Sequence, residues 1–326
     1  MKPLHQALSF VLFIVLALAT QLASARQSEP GIHLADPTIF LHEGTYYLYG
    51  TVEGNANQGF LVYVSKDKKN WEGPVGAKGG FALHKDDVYG DKGFWAPQVF
   101  THRQKFYMAY TANENIAIAE SDSPLGPFTQ AIKTPLESPV KQIDPFVYHA
   151  DDGKIYLYHV RLQEGNRIFV AEMKDDLSGI KEETLKECIN ASDHWENTAR
   201  APWPVAEGPT VFKEKDLYYL IYSANDFRNP DYAVGYAVSK HPLGPWEKHP
   251  GNPILHQKDL HHPGTGHGDM VVDAKGDMWY VFHTHYADQK VGPRRTALVK
   301  AGFTATGNDQ PDLTMHKECF FFLQHP

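Results

Sequence analysis

The sequence predicts an all-β protein folded as a single five-bladed β-propeller, and three observations carry that prediction. First, 17 Tyr, 18 Phe and 6 Trp accompany 26 Gly and 22 Pro in 326 residues. Strand-forming aromatics beside turn-formers point to many short strands joined by tight turns. Second, helical periodicity is weak after residue 26, whereas short apolar runs bounded by polar turns recur. Third, one unit returns five times, with its second position at 37, 97, 145, 209 and 269, so the spacings are 60, 48, 64 and 60 residues. Repeats of three or four strands at that length are the mark of propeller blades.

The first unit begins Asp36-Pro37-Thr38-Ile39-Phe40, turns at His42-Glu43-Gly44 and returns as Thr45-Tyr46-Tyr47-Leu48-Tyr49. The second pairs Ala96-Pro97-Gln98-Val99-Phe100 with Phe106-Tyr107-Met108-Ala109-Tyr110. The third pairs Asp144-Pro145-Phe146-Val147-Tyr148 with Ile155-Tyr156-Leu157-Tyr158 across Asp151-Asp152-Gly153. The fourth pairs Gly208-Pro209-Thr210-Val211-Phe212 with Tyr218-Tyr219-Leu220-Ile221-Tyr222. The fifth is looser, Gly268-Asp269-Met270-Val271-Val272 with Trp279-Tyr280-Val281-Phe282. Third strands are expected at Leu61 to Ser65, Ile116 to Glu120, Ile168 to Glu172 and Ala233 to Ser239. Ser123-Pro124-Leu125-Gly126-Pro127-Phe128 and its echo His241-Pro242-Leu243-Gly244-Pro245-Trp246 read as turns closing a blade. The recurring Tyr and Leu positions are expected to pack blade on blade.

Ahead of the repeats, Lys2, an apolar run from Leu8 to Leu18 and the small-residue site Ala23-Ser24-Ala25 read as a signal peptide over residues 1–25. The run is short of the roughly 20 residues a membrane span needs. Residues 26–326 are then the propeller, and a secreted or periplasmic protein with no membrane span is expected. The net charge of −8, from 39 acidic and 31 basic residues, argues against a nucleic-acid partner, whose phosphates need a basic face. Cys188 and Cys319 are the only cysteines and are expected to be unlinked thiols.

The chemistry is expected where the repeat is broken. In a propeller the first strand of each blade lines the central channel, so its starting residues meet at one mouth. The residue before the repeat's second position is Asp36, Ala96, Asp144, Gly208 and Gly268 in turn, and Glu207 stands one place earlier in the fourth copy. Three carboxylates brought to one funnel repel one another, which separates their pKa values. One ionised base and one protonated acid across a sugar is what glycoside hydrolysis needs.

On these residues the chain resembles glycoside hydrolase family 43 over essentially all of its length after residue 25. The carrying motifs are Ala35-Asp36-Pro37, Trp95-Ala96-Pro97, Ile143-Asp144-Pro145, Glu207-Gly208-Pro209 and Gly264-Thr265-Gly266-His267. The resemblance implies a five-bladed fold and an inverting hydrolysis, with Asp36 the general base that activates water and Glu207 the general acid. Asp144 would raise the Glu207 pKa and hold it in orientation. Inversion implies carboxyls about 6.5–9.5 Å apart, leaving room for the water. The resemblance also places His267 beside a channel ion, read as Ca2+ held mainly by water, because calcium prefers oxygen ligands. No organic cofactor is expected.

Trp95 matches the family's pocket tryptophan, and Arg294 resembles an arginine that reaches the active centre from blade five. Arg295 should point to the opposite face of the strand. His283 and His285 share a strand face; with His261 and His262 they lack the cysteine or acidic partner that a tetrahedral zinc set needs. His285 is taken as a hydrogen-bond donor to the sugar. Gln98 departs from relatives that carry an acid after Trp-Ala-Pro, so any role of that charge is absent.

The expected substrate is an oligo- or polysaccharide of plant-type pentoses, acted on by a monomer. An α-L-arabinofuranosidase is favoured, because the larger β-xylosidases of this resemblance often carry a C-terminal β-sandwich for which the chain has no room. β-D-Xylosidase, arabinanase and galactan-active enzymes are the alternatives. A non-catalytic carbohydrate-binding propeller would have lost or displaced one of the three acids, and a protein-interaction propeller would not need them.

Overall fold

The computed structural model describes residues 31–304 and 311–325, and the expected signal peptide lies outside them. Among the described residues, twenty strands form five antiparallel blades in a ring. β1 (Leu34–His42), β2 (Thr45–Val52), β3 (Gly59–Leu61), β4 (Tyr63–Ser65) and β5 (Phe81–His84) make the first, with β1-β2-β4 as one sheet and β3-β5 as a ribbon beside it. β6 (Trp95–His102), β7 (Lys105–Ala112) and β8 (Asn115–Ser121) make the second. β9 (Gln142–His149), β10 (Ile155–Leu162), β11 (Asn166–Glu172) and β12 (Lys186–Ile189) make the third. The fourth is β13 (Ala206–Glu214), β14 (Leu217–Ala224), β15 (Ala233–Ser239) and β16 (Glu247–Lys248). The fifth is β17 (Gly266–Val272), β18 (Met278–Thr284), β19 (Arg295–Thr304) and β20 (Asp312–Phe322).

The aromatic excess is spent between blades. Successive side chains of a strand point to opposite faces, so each second strand feeds two interfaces at once. Tyr49 packs toward blade two with Phe60, Phe94 and Met108, while its neighbour Leu48 packs toward blade five with Val271 and Val281. Tyr219 joins Tyr280 and Phe282 of blade five, and Leu220 joins Tyr156 and Val170 of blade three. The second-to-third junction is filled by Phe100, Val147, Ile155 and Leu157. Two echoing turns are pinned in the same manner: Tyr49 donates its hydroxyl to the Pro124 carbonyl, and Tyr158 donates to that of Pro242.

The ring closes where the first described residues meet the last. The Ile32 N–H donates to the Leu323 carbonyl at 3.0 Å, and the Thr296 N–H donates to the Ile32 carbonyl at 3.0 Å. Cys188 and Cys319 are unlinked thiols.

One device recurs at the head of every innermost strand. Asp36, Ala96, Asp144, Gly208 and His267 all adopt left-handed backbone, with φ between +43 and +61. The pairing register slips at this place in each blade, so each head is a bulge. For a residue with a Cβ that conformation costs about 1–2 kcal/mol. The bulge turns the head residue inward, and three residues per blade line the channel: 36–38, 96–98, 144–146, 208–210 and 267–269.

This pattern corrects the fifth copy. The sequence reading aligned Gly268-Asp269 with Gly208-Pro209, because a glycine before an apolar run resembles that pair. The structure shifts the copy by one residue: His267 occupies the place of Asp36, and Gly268 takes the proline place.

Candidate active site

Each bulge exposes a backbone N–H, and the preceding blade supplies its acceptor. Ala96 N–H donates to Thr51 Oγ1 at 3.0 Å, Asp144 N–H to Thr111 Oγ1 at 3.0 Å, and His267 N–H to Ser223 Oγ at 2.8 Å. Asp36 N–H donates to His283 Nδ1 at 3.1 Å, closing the ring from blade five to blade one. The corresponding residue of blade three is Val160, which has nothing to offer. There the Gly208 N–H donates instead to Asp144 Oδ2 at 3.3 Å. Asp144 thereby fixes the residue that follows Glu207.

Asp36 is buried, which opposes its charge, yet its carboxyl is held well below the usual carboxylate range. The Arg294 guanidinium lies 3.2 Å from Oδ1, and Thr51 donates its hydroxyl to Oδ2 at 2.7 Å. His267 and His283 each place Nδ1 3.4 Å from Oδ1. Burial pushes both imidazoles down from their ordinary value, so at neutral pH they are uncharged and Arg294 carries the electrostatic effect. Arg294 is itself fixed: its Nε donates to Glu53 Oε1 at 2.6 Å, and its guanidinium carbon sits 4.7 Å from the Phe227 ring centroid.

Glu207 is buried at the head of blade four, lining the same cleft, and is pushed up to about 7, first by burial and then by the Asp36 charge. Hydrogen bonds work against this shift: Tyr232 donates its hydroxyl to Oε1 and Asn166 Nδ2 donates to Oε2, each at 2.9 Å. Asp144 is also raised, by burial first and then by repulsion from Glu207 and Asp36. The three acids thus differ in protonation at neutral pH, with Asp36 ionised and at least one proton on the Asp144–Glu207 pair.

These groups face one open cleft lined by Asp36, Trp95, Asp144, Glu207, His267 and Arg294, with Ile143, Val205, Phe227 and Trp203 as apolar walls. Asn166 and Asp226 complete it. The structure therefore brings together all but one of the site residues singled out in the sequence. The exception is His285, which is not among the residues lining the cleft. Its Nε2 meets the Phe227 carbonyl at 2.7 Å, so it braces a wall of the cleft and cannot also donate there to a sugar. Arg295 points away from Arg294, with its guanidinium carbon 3.3 Å from the Phe322 ring centroid. Gln98 bridges blades two and three: its Oε1 accepts from Val147 N–H at 2.6 Å and its Nε2 donates to the Val147 carbonyl at 3.1 Å.

The channel is lined by the head residues of all five innermost strands, His267 and Asp269 among them. Among the described residues no group of three or more His, Cys, Asp or Glu side chains converges to hold a metal ion. The Asp269 carboxylate, the remaining acid there, already accepts from Thr38 and Thr210 hydroxyls at 2.6 and 3.3 Å. The protein thus offers His267 as the imidazole at this place, and a calcium ion there would take most of its six to eight oxygen ligands from water.

Sequence reasoning missed Glu53, Thr51, Asn166, Trp203, Phe227 and Tyr232. Thr51 alone had a legible sign, since it, Thr111 and Ser223 each stand five residues after the first aromatic of their runs, Tyr46, Phe106 and Tyr218. The others sit in loops or at strand ends outside the repeat.

Comparison with known proteins agrees with this geometry. A family model described as "Glycosyl hydrolases family 43" matches residues 31–308. A solved structure described as an endo-1,4-β-xylanase from Bacteroides thetaiotaomicron is 39% identical, with a TM-score of 0.82 over 91% of this chain and 98% of that one. A thermostable family-43 glycoside hydrolase of known structure is 35% identical, with a TM-score of 0.78 over 89% of this chain and 95% of that one. Among curated proteins, a β-D-galactofuranosidase of Aspergillus niger is 23% identical over 90% of this chain and 87% of its own length. Xylosidase/arabinosidase 43A of Humicola insolens is 27% identical over 82% of this chain and 93% of its own length.

Proposed function

This chain belongs to glycosyl hydrolases family 43, and from that premise we propose that it is an inverting hydrolase of pentose-containing plant glycans. The observation that carries the proposal is the split between two acids facing one cleft. Asp36 is kept ionised by Arg294, while Glu207 is raised to about 7 by burial. In this reading Asp36 takes a proton from water as the water attacks the anomeric carbon. Glu207 gives its proton to the glycosidic oxygen as that bond breaks. Arg294 keeps the base charged, and Asp144 orients the acid through the Gly208 N–H. Trp95 and Phe227 provide apolar faces for the sugar ring. No step runs through a channel ion.

The favoured activity is that of an α-L-arabinofuranosidase, with β-D-xyloside cleavage the second reading. The second is favoured by relatives described as xylosidase/arabinosidase and endo-1,4-β-xylanase. A non-catalytic sugar-binding propeller has no use for acids held in opposite protonation states. Export is part of the proposal and rests on the leader pattern in residues 1–25; among the described residues no helix is long and apolar enough to cross a membrane. The test is to assay the purified protein on 4-nitrophenyl α-L-arabinofuranoside, 4-nitrophenyl β-D-xyloside, arabinan and xylan, with Asp36→Asn as control. Turnover of at least one, lost in the variant, is expected; turnover surviving in Asp36→Asn would refute the assignment of the base.

A further inference from the structure

Trp203 is unusual among the described residues. Large apolar side chains are left well exposed at only a few places, Val75, Ile132, Trp203, Val272 and Tyr286, and of these Trp203 alone lines the cleft. Nearly half of it, 48%, is open to solvent. An indole open to solvent at a functional cleft is free to be covered by a ligand, and Trp is enriched among residues that carry binding energy.

The ring is also held in place, and the means of holding it lead to the acid. The Trp203 indole N–H donates to Asn166 Oδ1 at 2.9 Å, and the other end of the same amide donates from Nδ2 to Glu207 Oε2 at 2.9 Å. The loop carrying Trp203 is fastened beneath: Asn166 N–H donates to the Pro204 carbonyl at 2.9 Å, and Asn166 bridges to Val205. Gly165 makes this approach possible, since at φ +128 a Cβ there would lie 2.6 Å from the Pro204 oxygen.

We propose that Trp203 is the platform for the sugar unit on the leaving-group side of the scissile bond, and that Asn166 is a positioning residue tying that platform to Glu207. The proposal rests on the reading of Glu207 as general acid. An acid that protonates the glycosidic oxygen must face the departing sugar, so an open aromatic ring one amide away lies where that second sugar sits. The chemistry favoured is a glycan leaving group with an apolar ring face, over a small or charged aglycone. Asn166 acts through Glu207, by fixing its carboxyl and opposing the upward shift in its pKa.

The test compares two leaving groups. One substrate is xylotriose or α-1,5-linked arabinotriose, whichever the wild type cleaves; the other is the glycosyl fluoride of the same sugar, which presents no second ring and needs little acid help. Trp203→Ala should lower kcat/KM on the trisaccharide about tenfold, chiefly through KM, in line with the worth of a good aromatic contact. Hydrolysis of the fluoride should stay within about twofold, since its departure makes little call on an acid. Asn166→Ala should lower kcat on the trisaccharide and move the basic limb of the pH profile upward. Trp203→Phe, a mild change at an exposed site, should keep KM and reproduce part of that kcat and pH effect. Equal losses on trisaccharide and fluoride, or no loss on either, would overturn the inference and leave Glu207 standing. Wild-type inactivity on all these glycosides would instead overturn the functional reading, and the inference with it.

Discussion

Asp36 Oδ1 and Arg294 Nη1 lie 3.2 Å apart, although 258 positions separate them in the chain. Blade one supplies the carboxylate and blade five the guanidinium, so the pair spans the seam at which the ring closes. Its consequence is chemical: a buried carboxylate that would otherwise be neutralised stays charged and able to act as a base.

Removing the guanidinium should therefore be seen first in the acid limb. Burial raises the Asp36 pKa, and Arg294 is the main influence that reverses it. In Arg294→Gln the base should titrate at or above the ordinary carboxylate value, near 4. The kcat/KM profile of the wild type should be flat on its acid side down to the loss of fold, while the variant should fall away below about pH 5. Activity at the optimum should drop roughly 100-fold or more. An unchanged acid limb would show that Arg294 does not set the charge of Asp36.

On the basic side, Glu207 at about 7 requires kcat/KM to decline as pH rises past neutrality, because the acid loses its proton. Glu207→Gln should cost about 10²–10⁴-fold on sugar leaving groups. The loss should shrink on a glycosyl fluoride, whose departure needs little acid help. A wild-type profile flat to pH 9 would contradict the assignment.

The raised acids also cost stability, with a definite sign. A carboxyl whose folded pKa is raised favours the folded state below its ordinary pKa and loses that contribution as pH rises through the folded value. Glu207→Gln should therefore raise the melting temperature at pH 8 relative to wild type and change it little at pH 4. The expected gain at pH 8 is on the order of 2 kcal/mol. Thermal denaturation at the two pH values measures it, and a variant less stable at pH 8 would argue that the acid is well accommodated when charged.

Gly208 tests the bulge. Its φ is +61, and a Cβ there would meet the His267 ring at 2.8 Å. Gly208→Ala should destabilise the fold by about 1–3 kcal/mol, through the left-handed backbone and the forced shift of His267. It should also lower activity, because the Gly208 N–H anchors Asp144. A melting curve and an activity assay check the two effects separately.

Much of this was legible in the sequence, for reasons the structure makes plain. The blades were readable because two-residue alternation across two interfaces demands an aromatic at nearly every other position of each second strand, as at Tyr49, Tyr110 and Tyr219. The Asp-Pro and Gly-Pro pairs were readable because proline marks the bulge in four blades. The fifth blade has Gly268 in the proline place, so its glycine before an apolar run mimics the Gly-Pro pair one residue out of step. Asn166, Trp203 and Phe227 could not be seen because they enter the cleft from strand ends and loops that do not repeat, and Tyr232 because it reaches Glu207 from such a loop. His285 was misjudged because alternation places its side chain on the face shared with His283, and only the course of the loop through Phe227 shows that its ring is already bonded.

The central claim is that Asp36 and Glu207 work from opposite sides of one anomeric carbon, as base and acid. Proton NMR of the first sugar released from the preferred glycoside, recorded before mutarotation, tests it most directly. The account predicts that this sugar carries the anomeric configuration opposite to that of the substrate. A first-formed product that retains the configuration would contradict it.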